Sequence, residues 1–287
     1  MKIDSVYQSG RTAVSFEVFP PKKSSDIQKI YGALGELAAL APDFISVTYG
    51  AGGSGNGNRT AEIAALIQRD YGIPALAHLT CIGARRQEIQ AILAEMKGLG
   101  IENLLVLRGD LPPEAPVRTD YPYAKELIRE IHRRGDFTMG AACYPEGHID
   151  CEDSELDLGY LREKQEAGAD FFVAQLCFDP QRFFRFLERA GRAGITLPIS
   201  AGVMPILGRP QIQRMIFMCG VSLPAQIVKL LHKYENNPQD LQKAGIEYAG
   251  EQVEQLIRGG VQGVHIYTMN KPEIARHCMA RIQGIRS

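Results

Sequence analysis

Residues 46–60 read SVTYGAGGSGNGNRT, and how this stretch is read decides the fold. Gly50, Gly52 and Gly55 satisfy G-x-G-x-x-G after the apolar run Phe44–Val47 and before a helical pattern, as the first turn of a dinucleotide-binding Rossmann unit would. The surroundings contradict that reading. In a Rossmann unit the third glycine opens the helix, whereas here Asn56, Gly57, Asn58 and Arg59 intervene. The acidic residue at the required distance, Asp70, lies in RDYG at a helix end and not at the end of a strand. The stretch reads better as a strand-to-helix loop at the active face of a barrel, with Asn58 or Thr60 capping the helix that follows.

Working outward, apolar and β-branched runs recur at 13–19, 44–49, 75–81, 103–109, 137–144, 170–176, 197–203 and 263–268. Helical periodicity fills the intervals. In 85–100, Ile89, Ile92, Leu93, Met96 and Leu99 follow helical spacing and Gly100 supplies the stop. EAGAD (166–170), RAGIT (192–196) and RGGVQG (258–263) repeat that stop before later strands. Eight strand–helix units about thirty residues apart predict an α/β fold, a (β/α)8 TIM barrel, in a single domain over 1–287. The last interval is about twice the others, which predicts extra helices between strands 7 and 8, near Gln211–Gly220, Pro224–Tyr234 and Gln239–Gly259.

Composition narrows the function class. Thirty-two Lys and Arg against 33 Asp and Glu provide no basic field for nucleic acid or an anionic membrane. No apolar run approaches a membrane span and the first residues lack a signal-peptide core, so a cytoplasmic protein with small-molecule partners is expected. Six scattered cysteines show neither C-x-x-C nor close Cys/His pairing, which points away from zinc and from a disulfide framework.

Barrel chemistry sits at the C-terminal strand ends. Polar residues gather there: Glu17, Thr48 with Tyr49, His78, Arg108 with Asp110, Tyr144 with His148, Gln175 and Tyr267. Glu17 is the sharpest case, because an inward carboxylate in VSFEVF needs hydrogen bonds or must hold its proton, and a proton-holding carboxyl suits a general acid. The structural alternative is a Glu paired with an interior Arg or Lys. A metal site from Glu17, His78 and Asp110 lacks a characteristic ligand spacing.

With SFEVFPPK, FISVTYGAGG, HLTCIG, VLRGDLP, YPEGH, AGADFFVAQLCFD, GVMPI and HIYTMNK in that order, the chain resembles the methylenetetrahydrofolate reductases from about Val14 to Arg281, in the bacterial form with a catalytic barrel alone. The resemblance implies FAD across the strand ends, with NADH or NADPH and 5,10-methylenetetrahydrofolate taking turns against it in a ping-pong hydride transfer. It implies no adenosylmethionine-binding domain, and a homo-oligomer, dimer or tetramer. Its catalytic residues correspond to Glu17, as the acid that assists opening of the folate's five-membered ring at N10, and Asp110. Its cofactor contacts correspond to Thr48 on the nicotinamide side and to Tyr49, Ala51, His78, Arg108, Gly109, Asp110, Tyr144, His148, Asp157, Tyr160 and Lys164 for the flavin. Folate-side positions correspond to Glu17, Asp110, Gln175, Gln211 and Lys271. Tyr160 and Glu163 replace an Asn and an Arg of some bacterial relatives, which leaves Lys164 and Arg162 to neutralise the flavin diphosphate.

Two other readings stand beside this one. An aldolase or phosphate-binding lyase barrel would carry a strand Lys or a late Gly-rich phosphate loop, and no strand here carries such a Lys. A barrel subunit of a one-carbon complex would take electrons from a partner protein in place of NAD(P)H.

Overall fold

The computed structural model describes residues 1–21, 27–49, 57–110 and 120–286. Eight parallel strands close in sequence order: β1 (Ala13–Val18), β2 (Phe44–Val47), β3 (Ala75–Thr80), β4 (Asn103–Leu107), β5 (Thr138–Cys143), β6 (Phe171–Leu176), β7 (Ile199–Val203) and β8 (Gly263–Tyr267). β1 pairs with both β2 and β8, so the sheet has no edge. Each expected strand is present, shorter by one or two residues where a run spilled into a turn.

The strands read as continuous apolar runs because both faces are buried. Val14, Phe16, Ile45, Val47, Val106, Val264 and Ile266 pack outward against the helices in one large cluster. The alternate residues Phe44, Leu76, Leu105, Phe171 and Val173 fill the barrel interior with Ile3. At about 1.5–3 kcal/mol for each fully buried large apolar side chain, these two layers account for most of the drive to close the barrel. Gly140 on β5 serves this packing, since a side-chain carbon there would stand 2.6 Å from the Phe171 ring.

A short helix, α1 (Asp4–Tyr7), closes the N-terminal end of the barrel. Four residues are too few to show periodicity, so sequence patterning did not predict it. Ile3 is fully buried, its N–H donates to Asn103 Oδ1 at 2.8 Å, and the Tyr7 hydroxyl meets Ser200 Oγ at 2.8 Å. The connecting helices are α2 (Ile27–Ala38), α3 (Gly57–Tyr71), α4 (Arg86–Gly98), α5 (Ala124–Arg134), α6 (Ser154–Glu166) and α7 (Pro180–Arg192). Ile89, Leu93 and Met96 of α4 are buried as the spacing predicts, and Gly100 after it takes a left-handed φ of 74°. Thr60 does not cap α3. It lies in the first turn, and its hydroxyl donates to the Thr48 carbonyl at 2.9 Å, tying the helix to the end of β2. Asn58 also falls inside α3, and the three glycines of the formal motif lie outside the described residues.

Between β7 and β8 stand α8 (Arg209–Cys219), α9 (Ala225–Lys233) and α10 (Pro238–Arg258), and α11 (Pro272–Arg281) follows β8. The extra helices begin within two residues of the expected positions. Asn237 caps α10 and Pro238 occupies its first turn, which suits a residue without an N–H to leave unpaired. No helix among the described residues is long and apolar enough to cross a membrane.

Candidate active site

At the C-terminal strand ends lies a cleft of about 290 Å³. Arg108 and Asp110 after β4, Tyr144 and His148 after β5, and Gln175 on β6 line one side. Ile149 and the end of α8, Met218 and Cys219, complete the lining with an apolar lip. Five residues singled out in the sequence therefore share one wall.

Gln175 reaches the cleft through a register shift between β6 and β7 at Val173–Leu176. The bulge works because Gly202 faces it: a side-chain carbon there would stand 2.3 Å from the Ala174 carbonyl oxygen. The Leu176 N–H donates to Gln175 Oε1 at 2.9 Å, which leaves the amide NH2 as the group Gln175 can offer.

Glu17 is inward on β1 and meets two histidines rather than an Arg or Lys. His265 Nε2 of β8 lies 3.4 Å from Oε2, and His78 Nε2, two strands away on β3, lies 3.7 Å from it. Burial pushes the His78 imidazole down to about 4, against a smaller upward pull from Glu17 and a further downward one from His265. His78 is therefore neutral near pH 7, and its buried Nε2 finds no hydrogen-bond partner among the described residues. Burial, with Glu17 adding to it, raises the Tyr267 phenol well above its ordinary value. Sequence reasoning named His78 and Tyr267 but missed His265. The available signal was period-2 alternation, which puts His265 on the same face as Tyr267.

Behind the wall, Tyr144 and His148 meet edge to face at 4.5 Å. Lys164 of α6 donates to the Ala142 carbonyl at 2.8 Å and lies 5.6 Å from the Tyr144 ring centroid. Burial lowers the Lys164 ammonium, and burial raises Asp157 against the pull of Lys164 and the His148 N–H. His148 is lowered by burial and then by Arg108. Arg108 Nη2 donates to Asp150 Oδ2 at 2.8 Å, which lowers the Asp150 carboxyl. Asp150 was not singled out in the sequence, because nothing in HIDCEDS separates it from a solvated acid.

The remaining positions are more dispersed. Tyr160 is exposed on α6. Glu163 is committed to Lys125 of α5 at 2.6 Å. Arg162 is not beside Lys164, because residues two apart on a helix point to different faces, and it pairs with Glu166 at 3.4 Å. Gln211 braces the β7–α8 loop, its Oε1 accepting from Leu207 N at 2.7 Å and its amide donating to the Pro205 carbonyl at 3.0 Å. Lys271 stands half-buried at the start of α11, and Thr48 and Tyr49 are half-buried after β2. Gly109 takes a left-handed φ of 88°, and a side-chain carbon there would meet Thr80 and Ile82 at 3.0 Å. Ala51 lies outside the described residues.

Glu146, inside YPEGH, was also missed. It accepts from Ser222 N at 3.2 Å and from the Ser222 hydroxyl, and pairs with Arg182 at 3.4 Å, holding the α8–α9 connection against the β5 loop.

Comparison with known proteins gives a consistent result. The family profile described as methylenetetrahydrofolate reductase matches residues 2–283. A 5,10-methylenetetrahydrofolate reductase of Pectobacterium carotovorum is 35% identical over 277 residues, covering 96% of this chain and 92% of that protein. The Escherichia coli K12 protein of the same name is 34% identical with the same coverage. Methylenetetrahydrofolate reductase (NADH) 1 of Arabidopsis thaliana is 34% identical over 285 residues, and this chain spans 48% of its length. Among solved structures, a Clostridium thermocellum protein described as binding two copies of 5-methyl-5,6,7,8-tetrahydrofolic acid shares the fold, with a TM-score of 0.67 at 12% identity over 99% of both chains.

Proposed function

Because this chain belongs to the methylenetetrahydrofolate reductase family, we propose that it reduces 5,10-methylenetetrahydrofolate to 5-methyltetrahydrofolate with FAD bound and NADH or NADPH as donor. The observation that carries the reading is Glu17, an inward carboxylate held by His265 on the same barrel face as the cleft containing Asp110 and Gln175. When bound, FAD supplies a hydride carrier that lets the nicotinamide and the folate react in turn.

The residues present fit that cofactor. His78 presents a buried, neutral imidazole nitrogen with no hydrogen-bond partner among the described residues, Gly109 offers bare backbone where a side chain would clash, and Arg108 and Lys164 bring two cations to the wall that holds Tyr144 and His148. Arg162 is not counted among them, since it faces Glu166.

In this reading Glu17 gives its proton to N10 of the folate, the C–N10 bond opens with its electron pair staying on nitrogen, and the one-carbon unit becomes an N5 iminium. Asp110, exposed at the cleft, sits where its charge favours that cation. Gln175 donates its amide N–H to the pterin or the nicotinamide. Lys271 faces the glutamate tail as a single charge, and Gln211 shapes the folate wall by bracing residues 205–207. Ile149 and Met218 keep water from the cleft.

An anaerobic absorbance titration tests the reading. Bleaching of a flavin band by NADH or NADPH, then its return on adding methylenetetrahydrofolate, is the expected result and names the preferred donor. A flavin bleached only by dithionite yet reoxidised by folate would assign the electrons to a partner protein. A protein that takes up no FAD overturns the proposal.

A further inference from the structure

Beneath Glu17 lies a buried polar network that packing alone does not require. The His265 ring is wholly buried, stacked at 6.2 Å on Phe44 and edge-on at 5.5 Å to Tyr267. Its Nδ1 lies 2.7 Å from Ser15 Oγ, and its Nε2 lies 3.3 Å from Ser46 Oγ and 3.4 Å from Glu17 Oε2. Ser15 and Ser46 are likewise fully buried. Three polar side chains buried against the Phe, Leu and Val of the barrel interior are costly unless each is paired.

Ser15 Oγ donates to the Val264 carbonyl at 3.2 Å and lies 2.7 Å from Nδ1, a position from which it can accept from that nitrogen or donate to it. The carboxylate sets the tautomer: once Glu17 has given up its proton, Nε2 must carry the ring proton, because a bare Nε2 lone pair facing Oε2 would repel it.

We propose that His265 is the positioning partner of Glu17: anchored through Nδ1 by Ser15 and carrying its ring proton on Nε2, it holds Oε2 and leaves Oε1 to carry the proton delivered to the substrate. The inference rests on Glu17 being the acid of the proposed reaction. When the Oε1–H bond breaks and the N–H bond at N10 forms, the electron pair left on Glu17 becomes carboxylate charge, and the Nε2–H already points at it. No tautomer change is needed before the next proton arrives. The other groups facing the pair are His78 from β3, neutral near pH 7, Tyr267 from β8, whose phenol keeps its proton, and Ser46 from β2. None of them supplies a charge that could replace the donated hydrogen bond.

The test uses holoenzyme and separates the two half-reactions by stopped flow. His265→Leu is expected to slow flavin reoxidation by methylenetetrahydrofolate about 10- to 100-fold, the range for losing a hydrogen bond to a charged group. Flavin reduction by NADH or NADPH stays within about twofold. His265→Gln, which places an amide N–H near the Nε2 position, recovers most of the lost rate. The limb of the pH–rate profile that reports the acid differs between the Leu variant and the wild type. With ¹⁵N-labelled histidine, the resonance absent from the variant reports an Nε2–H tautomer in the wild type. If the Leu variant does not fold, Ser15→Ala, which removes the anchor at Nδ1, carries the test through a smaller, folate-specific loss. Equal loss in both half-reactions, no advantage of Gln over Leu with an unmoved pH profile, or an Nδ1–H tautomer in the wild type overturns the inference. Wild-type flavin that folate does not reoxidise overturns the reaction itself, and the two failures are thereby distinguished.

Discussion

Glu17 and Asp150 are both carboxylates at the strand ends, yet their partners predict opposite consequences for removing their charge. Glu17→Gln keeps size and hydrogen-bonding reach but cannot deliver a proton. Reduction of the flavin by NAD(P)H should stay within about twofold while folate reduction falls by at least about a hundredfold, the lower end of general-acid contributions; equal losses would reject its folate-specific role. Asp150 is a mostly exposed carboxylate occupying Arg108, a cation at the cleft wall that an anionic diphosphate can use. Its removal frees that cation, so apo-protein of Asp150→Asn should bind FAD about two- to fivefold more tightly in a fluorescence-quenching titration. The gain should shrink with salt, as exposed ion pairs do. Weaker binding would instead mean that the carboxylate itself touches the cofactor. Glu17 could be read from the sequence because an acid inside VSFEVF breaks an apolar pattern. Asp150 could not, because an acid in a polar loop breaks nothing, and its importance comes from an arginine 42 residues earlier.

At the scale of elements, the β6–β7 pair shows what patterning reveals and what it hides. The runs at 170–176 and 197–203 identify both strands, but the register shift that turns Gln175 into the cleft is a property of the pair and of the space Gly202 leaves. Gly202→Ala pushes a methyl group against the Ala174 carbonyl, at a cost of about 2–3 kcal/mol and a fall in Tm of about 3 to 5 °C for a barrel of this size. Because the same displacement moves Gln175, thermal unfolding and folate KM should worsen together; a variant with normal Tm and normal KM would show the bulge to be incidental. The same limit explains α8. Its helical character and approximate bounds follow from residues 211–220, but the hydrogen bonds from Ser222 to Glu146 that set it against the β5 loop join positions 76 residues apart, which no local pattern reports.

Across the whole molecule, the alternation of strand and helix was readable because a closed parallel barrel buries both faces of every strand, turning each into an apolar run whose few polar exceptions mark the working end. The polar floor under Glu17 was not readable as a unit, since Ser15, Ser46 and His265 become neighbours only when β1 joins β8 and the ring closes. That closure also makes His78 a reporter of global stability. Its imidazole is neutral in the fold and held at about 4 by burial, whereas in the unfolded chain it titrates near 6.5. Between those values the unfolded state binds more protons, so the contribution of His78 is fully present above about pH 6.5 and is lost as pH falls toward about 4, amounting to roughly 3 kcal/mol. His148, lowered by burial and Arg108, works in the same direction. Carboxylates paired in the fold also lose stability on acidification, so the difference between wild type and His78→Gln isolates the imidazole. Urea midpoints of the apo-protein at pH 7.5, 6, 5 and 4.5 should fall more steeply for the wild type, the stability difference between the two proteins changing by about 2.5 kcal/mol over that range whatever the offset at neutral pH. Parallel curves would mean that His78 accepts its proton without unfolding the barrel, with Glu17 closing the 3.7 Å gap to receive it as an ion pair.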